Sequence, residues 1–135
     1  MTMSRPPYEI HPVGTVRNGL GRRPDSGWSD IRSVIHVFPR YEEALSGLDR
    51  YARVRVIFWF HLKDPSERNV LRVRPMGRED LPLTGVFATR SPARPNTLGS
   101  TVVRLLRIDG TDLYVAGLDT LEGTPVIDIK PHSRR

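Results

Sequence analysis

Short strand-like runs separated by glycine- and proline-containing turns dominate this chain of 135 residues. The clearest run covers residues 52–62 (ARVRVIFWFHL), which begin with strict alternation and become continuously apolar. Alternation is typical of a half-buried strand, and a continuous apolar run is typical of a strand that is covered on both faces. Two further runs flank Asp109-Gly110, which is a strong hairpin signal. Because strands do not alternate with long helical segments, the sequence excludes a doubly wound nucleotide-binding fold.

The spacing of these runs predicts a succession of short strands with one short helix. The strand-like runs cover residues 8–17, 31–38, 52–62, 70–73, 85–89, 101–108, 113–118 and 126–129. Apolar residues at helical spacing predict the helix over 41–48. Residues 18–29 form a long loop, and loops of this length are often functional. The sequence therefore predicts an all-β or β-dominated fold, a single-domain β-barrel over residues 1–135, with loose ends at 1–7 and 133–135.

Residue composition excludes several kinds of site. The chain has no cysteine, which excludes a thiol nucleophile, a thiolate zinc site and an iron–sulfur cluster, and favours a reducing compartment. The four histidines lack the paired spacing of a zinc site, so we expect no metal. The longest apolar run has five residues, 56–60, far below the ~20 that a membrane span requires. We expect a cytoplasmic protein with no membrane partner.

The charge of the chain points to anionic ligands. The formal net charge is +6, and of the 21 cationic residues only Lys63 and Lys130 are lysine. A guanidinium group suits phosphate and carboxylate, and a basic chain of this kind suggests nucleic-acid binding. A genome that favours arginine codons explains the same composition equally well.

A first dense run of special residues covers 85–100 (GVFATRSPARPNTLGS). Its two prolines fix the backbone of a loop that carries two guanidinium groups, Arg90 and Arg94, and the amide of Asn96. A rigid loop with bidentate donors can hold a carboxylate or a phosphate at low entropic cost. The alternative is a proline-rich crossover with solvated arginines.

A second dense run covers 118–131 (LDTLEGTPVIDIKP). Asp119 and Glu122 bracket a tight turn at Gly123, where carboxylates can accept hydrogen bonds from ribose hydroxyls or an ammonium group. The alternative is a hairpin turn with solubilising acids. Asp128 and Lys130 share one strand face and suit an ion pair. Upstream of this run, His61 either lines a pocket or caps the end of its strand.

The two runs together resemble the TrmO family, also called TsaA-like. The resemblance extends to VGTVR at 13–17, to the segment from Glu43 and to the strand that ends at His61. Its members are S-adenosylmethionine-dependent methyltransferases that act on N6 of threonylcarbamoyladenosine beside the tRNA anticodon. The resemblance implies a β-barrel that forms a homodimer, takes S-adenosylmethionine as its cofactor near the dimer interface and uses tRNA as its substrate.

The resemblance also implies which positions contact the cofactor, and it leaves Asn96 as a possible catalytic residue near the methyl acceptor. The implied cofactor contacts are Pro24, Asp25, Ser26, His61, Leu62, Arg90, Ser100, Asp119, Thr120, Leu121 and Glu122. Two alternatives remain open. A small-molecule methyltransferase on the same barrel is favoured by a first loop that differs from the family pattern, and a non-catalytic RNA-binding barrel is favoured by the net charge.

Overall fold

Six antiparallel strands close into a barrel, in which the last strand pairs back onto the first. The computed structural model describes residues 7–22, 24, 26–62 and 64–135. The barrel strands are β1 (Gly14–Arg17), β2 (Arg32–Val37), β3 (Tyr51–Trp59), β6 (Leu98–Asp109), β7 (Asp112–Ala116) and β8 (Pro125–Arg134). Their order around the barrel is β1-β2-β7-β6-β3-β8. Two short strands, β4 (Arg72–Val73) and β5 (Thr84–Gly85), form a separate small sheet. The predicted β-dominated barrel is therefore confirmed.

Branched apolar side chains fill the barrel. Val54, Val56 and Phe58 alternate along β3 and are buried, while their neighbours in the sequence lie on the outer wall. Ile35 of β2 and Leu113 of β7 pair with each other and are fully buried in the same cluster. The two-residue period of the strands sends every second residue to the core. Small barrels are filled by their own side chains in this way, and their binding sites lie at the ends.

The first and last strands differ from the sequence-based prediction. The strand predicted over 8–17 begins only at Gly14, because Pro12 has no N–H to donate to a ladder. The last strand is longer than 126–129, and the expectation that 133–135 are loose is wrong. Ser133 pairs with Arg53 of β3, and the guanidinium group of Arg135 donates to the carbonyls of Asp49 and Leu105. The nine-residue β3 gives β8 a long partner strand. The C-terminal residues of β8 are polar, so their sequence does not predict this pairing.

The predicted helix over 41–48 is present as two short 3-10 helices, Pro39–Leu45 and Leu48–Arg50, interrupted by Gly47 at φ 88°. The strands predicted over 70–73 and 85–89 shrink to two residues each, and a 3-10 helix, Val86–Ala88, follows the second. Both lie outside the barrel and, among the strands of the described residues, pair with each other alone. The hairpin at Asp109-Gly110 is confirmed, with Gly110 at φ 63°. Within the described ranges, no helix is long and apolar enough to cross a membrane.

Candidate functional site

A cavity of about 210 Å³ opens where β3 ends and the turn before β8 begins. Five of the predicted cofactor contacts line it: His61, Leu62, Asp119, Thr120 and Leu121. Almost sixty residues of the chain separate the first two of these residues from the other three. The remaining walls are Phe58, Trp59, Phe60 and Thr124. The cavity thus combines aromatic walls with a small number of polar groups, which is the usual composition of a small-molecule site.

Backbone contacts fix the turn that carries Asp119. Leu118 is fully buried and anchors its start. Gly123, at φ 82°, donates its N–H to the carbonyl of Val16, and the Thr124 hydroxyl donates to the carbonyl of Leu121 at 2.7 Å. A positive φ at this position favours glycine. The turn is therefore joined to β1 as well as to β8, and its side chains face the cavity from a rigid backbone.

Two polar groups of the cavity have hydrogen-bonding capacity left over. One carboxylate oxygen of Asp119, Oδ1, accepts a hydrogen bond from the Thr101 hydroxyl at 2.6 Å, which fixes the carboxylate. Oδ2 accepts none from a described residue. Thr120 is 4% exposed, and its hydroxyl has no hydrogen-bond partner among the described residues. Buried polar groups are normally paired, so the unpaired Thr120 hydroxyl and the free Oδ2 of Asp119 make this wall a candidate for ligand binding.

Glu122 joins the turn to the long loop between β1 and β2. Its Oε1 accepts hydrogen bonds from the backbone N–H groups of Gly19 and Asn18, both at 2.7 Å, and these bonds lower the pKa of its carboxyl group. The side-chain amide of Asn18 donates to the carbonyl of Thr120 and to the hydroxyl of Ser33. Asn18 escaped the sequence reasoning, although an Asn-Gly pair at the start of a loop is a turn signal.

The cofactor contacts predicted in the loop between β1 and β2 do not line this cavity among the described residues. Pro24 and Ser26 follow the segment that Glu122 holds, but neither lines the 210 Å³ cavity. Asp25 lies outside the described residues. The structure therefore brings this loop to the site through Asn18, Gly19 and Glu122.

A second, more open cavity of about 790 Å³ lies beside the 85–100 loop, and Arg90, Arg94 and Asn96 line it with Phe87. The prediction that both arginines of this loop are available to an anion does not hold for Arg94. Its guanidinium group donates to the carbonyls of Ser91 at 2.8 Å, of Arg90 at 3.1 Å and of Leu98. Burial, and then the positive charge of Arg90, lower the pKa of Arg94.

Arg90 differs from Arg94 in both exposure and partners. It is exposed, and its guanidinium group donates no hydrogen bond to any residue that the structure describes. Arg94 therefore shapes the loop, while the donors of Arg90 remain exposed at the edge of the larger cavity.

Asn96 and Ser100 occupy different surroundings. Asn96 Oδ1 accepts a hydrogen bond from Arg68, which also donates to the carbonyl of Pro95 at 2.7 Å. Arg68 thereby holds the amide of Asn96 at the rim of the larger cavity, a role that sequence reasoning missed. Ser100 lies on the outer wall of the barrel opposite Ile57, and its hydroxyl accepts a hydrogen bond from Arg55 at 2.8 Å.

Among the residues that the structure describes, no three His, Cys, Asp or Glu side chains come together as a metal site requires. The polar groups near the two cavities suit an organic ligand that carries both donors and an anionic group, because they include a carboxylate, hydroxyls and an exposed guanidinium group. Fold and site together define a small antiparallel barrel domain with a ligand site at one end.

Comparison with known proteins places this barrel in a family. Residues 11–135 match the family described as the tRNA-methyltransferase O N-terminal domain. A probable S-adenosyl-L-methionine-binding protein of Methanothermobacter thermautotrophicus is 46% identical over 134 residues, which cover 96% of this chain and 93% of that protein. The human tRNA (adenine(37)-N6)-methyltransferase is 36% identical over 87% of this chain and 27% of its own length. The crystal structure of TrmO from Pseudomonas aeruginosa superposes with a TM-score of 0.76 at 30% identity.

The chain belongs to the TrmO family, and with it to the S-adenosylmethionine-dependent methyltransferases. The superposition with the Pseudomonas aeruginosa structure covers 97% of this chain and 57% of that one. This chain therefore spans little more than half the length of that TrmO, and the family model that it matches describes the N-terminal domain.

Proposed function

We propose that the protein methylates N6 of threonylcarbamoyladenosine in tRNA, in the cytoplasm, using S-adenosylmethionine. The observation that carries the proposal is the meeting of His61 and Leu62 with the 119–121 turn around one cavity, in a chain of the TrmO family. The similarity to the human tRNA (adenine(37)-N6)-methyltransferase supports the choice of acceptor.

The side chains near the two cavities fit the chemical groups of the cofactor. Asp119 has an unused carboxylate oxygen for ribose hydroxyls or for the ammonium group, and the Thr120 hydroxyl lacks a partner. The aromatic walls suit the adenine ring. Arg90 suits the carboxylate, because a guanidinium group binds a carboxylate through two hydrogen bonds. When bound, the cofactor supplies a methyl group that its sulfonium already activates.

The residues of this chain align the reactants and exclude water. Methyl transfer between preorganised partners gains most of its rate from proximity and orientation. Thr101 holds the Asp119 carboxylate, and Arg94 holds the loop that bears Arg90. Asn96 keeps its NH₂ group for the acceptor, because Arg68 occupies its carbonyl oxygen. We assign Asn96 to positioning the acceptor base.

We further propose that the working enzyme is a symmetric homodimer in which each site takes residues from both protomers. The 210 Å³ cavity is smaller than the ~300–1,000 Å³ typical of a complete ligand site, and Arg90 lines a separate cavity. Exposed apolar side chains cluster between residues 71 and 87: Leu71 at 68%, Met76 at 83%, Leu83 at 51% and Phe87 at 92% exposure. A second copy would cover this surface, and two-fold dimers are the commonest oligomers.

Mixing two inactive variants tests the composite site. Arg90→Ala and Asp119→Asn homodimers are each expected to lose activity. When the two are refolded together from urea, random pairing makes about half of the dimers mixed, and one site in each mixed dimer is intact. Activity should therefore return to about a quarter of the wild-type value. No recovery, with mixed dimers shown to form, would refute a site built from two protomers.

Label transfer tests the acceptor. Radiolabelled S-adenosylmethionine is incubated with tRNA that carries threonylcarbamoyladenosine, with the same tRNA lacking the modification, and with a protein-free metabolite extract. We expect label in the first sample only, on the modified adenosine after nuclease digestion. Label in the metabolite extract alone would reject tRNA in favour of a small-molecule acceptor, while the cofactor assignment would stand.

A further inference from the structure

We propose that the outer wall of the barrel across β3, β6, β7 and β2 binds the phosphate backbone of the RNA substrate next to the methylation site. The proposal rests on the proposed function, and it adds a surface of this chain that the cofactor site does not include. The surface, here called the arginine wall, consists of Arg32, Arg53, Arg104 and Arg107 with Tyr114.

Strand register places three of these arginines in one line across the wall. Arg53 of β3 is directly opposite Arg104 of β6, Arg104 is opposite Ala116 of β7, and Ala116 is opposite Arg32 of β2. All three arginines are exposed and alternate with buried core residues, so they face outward. Directly opposed residues on one face have Cβ atoms ~5 Å apart, and neighbouring strands are ~4.8 Å apart. The line therefore spans roughly three strand spacings, or ~14 Å.

These charges are not neutralised within the protein. Like charges directly opposite each other destabilise a sheet, yet none of the four arginines forms an ion pair within the part of the chain that the structure describes. Arg104 donates one hydrogen bond, to the carbonyl of Ser29, and keeps its other donors. Asp112, on the outer face of β7, is already paired with His36 at 2.8 Å, and Asp128, on the neighbouring β8, is paired with Lys130 at 3.2 Å. The wall is a concentration of positive charge that suits a polyanion.

Two grooves and an aromatic ring favour a nucleic acid. One groove, of about 310 Å³, is lined by Arg53 and Arg104, and a second, of about 320 Å³, by Arg32 and Arg107. The guanidinium group of Arg107 lies over the Tyr114 ring, 4.2 Å from its centre. Arginines beside aromatic rings provide both phosphate contacts and stacking surfaces for bases.

One groove lies near the candidate cofactor cavity. This groove, the one of about 310 Å³, includes Gly117, and Asp119, two residues further along the chain, lines the cavity. At ~3.3 Å per residue, two residues span ~7 Å. The wall and the cavity are therefore neighbours through this segment.

An anionic membrane and a second protomer fit this wall less well than RNA. Both partners require apolar contacts, and the large apolar side chains that are exposed lie elsewhere: Tyr8, Ile10, Leu62, Leu71, Met76, Leu83 and Phe87. None of them belongs to the four strands of the wall. A surface whose exposed side chains are mainly arginines is typical of phosphate-backbone binding.

Salt-dependent RNA binding tests the arginine wall. The wall variant is R32Q/R53Q, and the matched control R40Q/R78Q removes the same charge from exposed positions outside the wall. Fluorescence anisotropy with a labelled tRNA transcript, from 50 to 200 mM salt, measures affinity and its slope. Each lost phosphate contact reduces the slope of log affinity against log salt by ~0.7, so loss of two contacts reduces it by ~1.4. With equal affinities at 1 M salt, where the electrostatic contribution vanishes, the wall variant should bind RNA about 25-fold more weakly than wild type at 0.1 M salt. The control should behave as wild type.

Calorimetry with S-adenosylmethionine accompanies the assay, and we expect all three proteins to bind the cofactor equally. Equal RNA affinity and slope for the wall variant and the control would overturn the arginine wall and leave tRNA methylation standing. A wild-type protein that binds the cofactor but not RNA would reject the tRNA proposal itself. Loss of binding to phosphatidylserine vesicles in the wall variant, with RNA binding unchanged, would assign the wall to a membrane surface and overturn the inference.

Discussion

Substitution of Gly99 by alanine should lower both the stability of the barrel and the affinity of the 210 Å³ cavity for the cofactor. A Cβ atom at position 99 of β6 would lie 2.4 Å from Cε2 and Cζ of Phe58 and 3.0 Å from Cζ of Phe60. Carbon atoms in contact are ~3.5–4.0 Å apart, so the Phe58 ring has to move by more than ~1 Å. Phe58 is 2% exposed and belongs to the core, which limits that movement. The ring also lines the 210 Å³ cavity, which offers the open space beside it.

This geometry sets the expected loss in the free energy of unfolding. Overpacking a core costs ~1–3 kcal/mol, and for a domain of this size a loss of ~2 kcal/mol lowers Tm by ~6–10 °C. Because the ring moves into the cavity, the affinity for S-adenosylmethionine should also fall. Urea unfolding measures the free energy of unfolding, and titration calorimetry measures the affinity.

The matched control is Gly85→Ala. Position 85 has φ −57°, and no atom lies within 4 Å of the added Cβ, so stability should stay within ~0.5 kcal/mol of wild type. If Gly99→Ala matched this control in both unfolding and cofactor affinity, the proposed role of Phe58 at the cavity would be refuted.

Three further predictions concern single side chains. Arg90→Ala should weaken S-adenosylmethionine binding by ~1.5–3 kcal/mol, the range for a charged hydrogen bond, while Arg40→Ala leaves the calorimetric affinity unchanged. Arg94→Lys should make the 90–98 loop more sensitive to limited proteolysis, because an ammonium group cannot replace a planar group that bonds three carbonyls; an unchanged cleavage rate would contradict this. Glu122 has a lowered pKa when folded, so its stabilising contribution is present above the ordinary carboxyl pKa of ~4.3 and is lost as pH falls through the folded value. Urea unfolding from pH 7 to pH 3 should therefore show a smaller decline for Glu122→Gln than for wild type.

The amino-acid sequence determined the class of fold and one wall of the site. The alternation in residues 52–62 and the turn at Asp109-Gly110 depend on local backbone preferences, which operate the same way in any strand or hairpin. The two dense runs, residues 85–100 and 118–131, indicated the family because their glycines, prolines and charged residues stand at fixed spacings, which are also a local property of the sequence. His61 and Asp119 were predicted in this way, and both line the 210 Å³ cavity in the structure.

Only the tertiary structure decided which side chains have free donors or acceptors. Arg90 and Arg94 look equivalent in the sequence, but closure of the loop brings three carbonyls to Arg94 and leaves Arg90 exposed. Asn18 becomes part of the site because β1 and β8 pair, which brings residues more than one hundred positions apart into hydrogen-bond contact. The arginine wall likewise exists only through the register of four strands. Strand register depends on packing across the whole barrel, and local sequence therefore does not contain it.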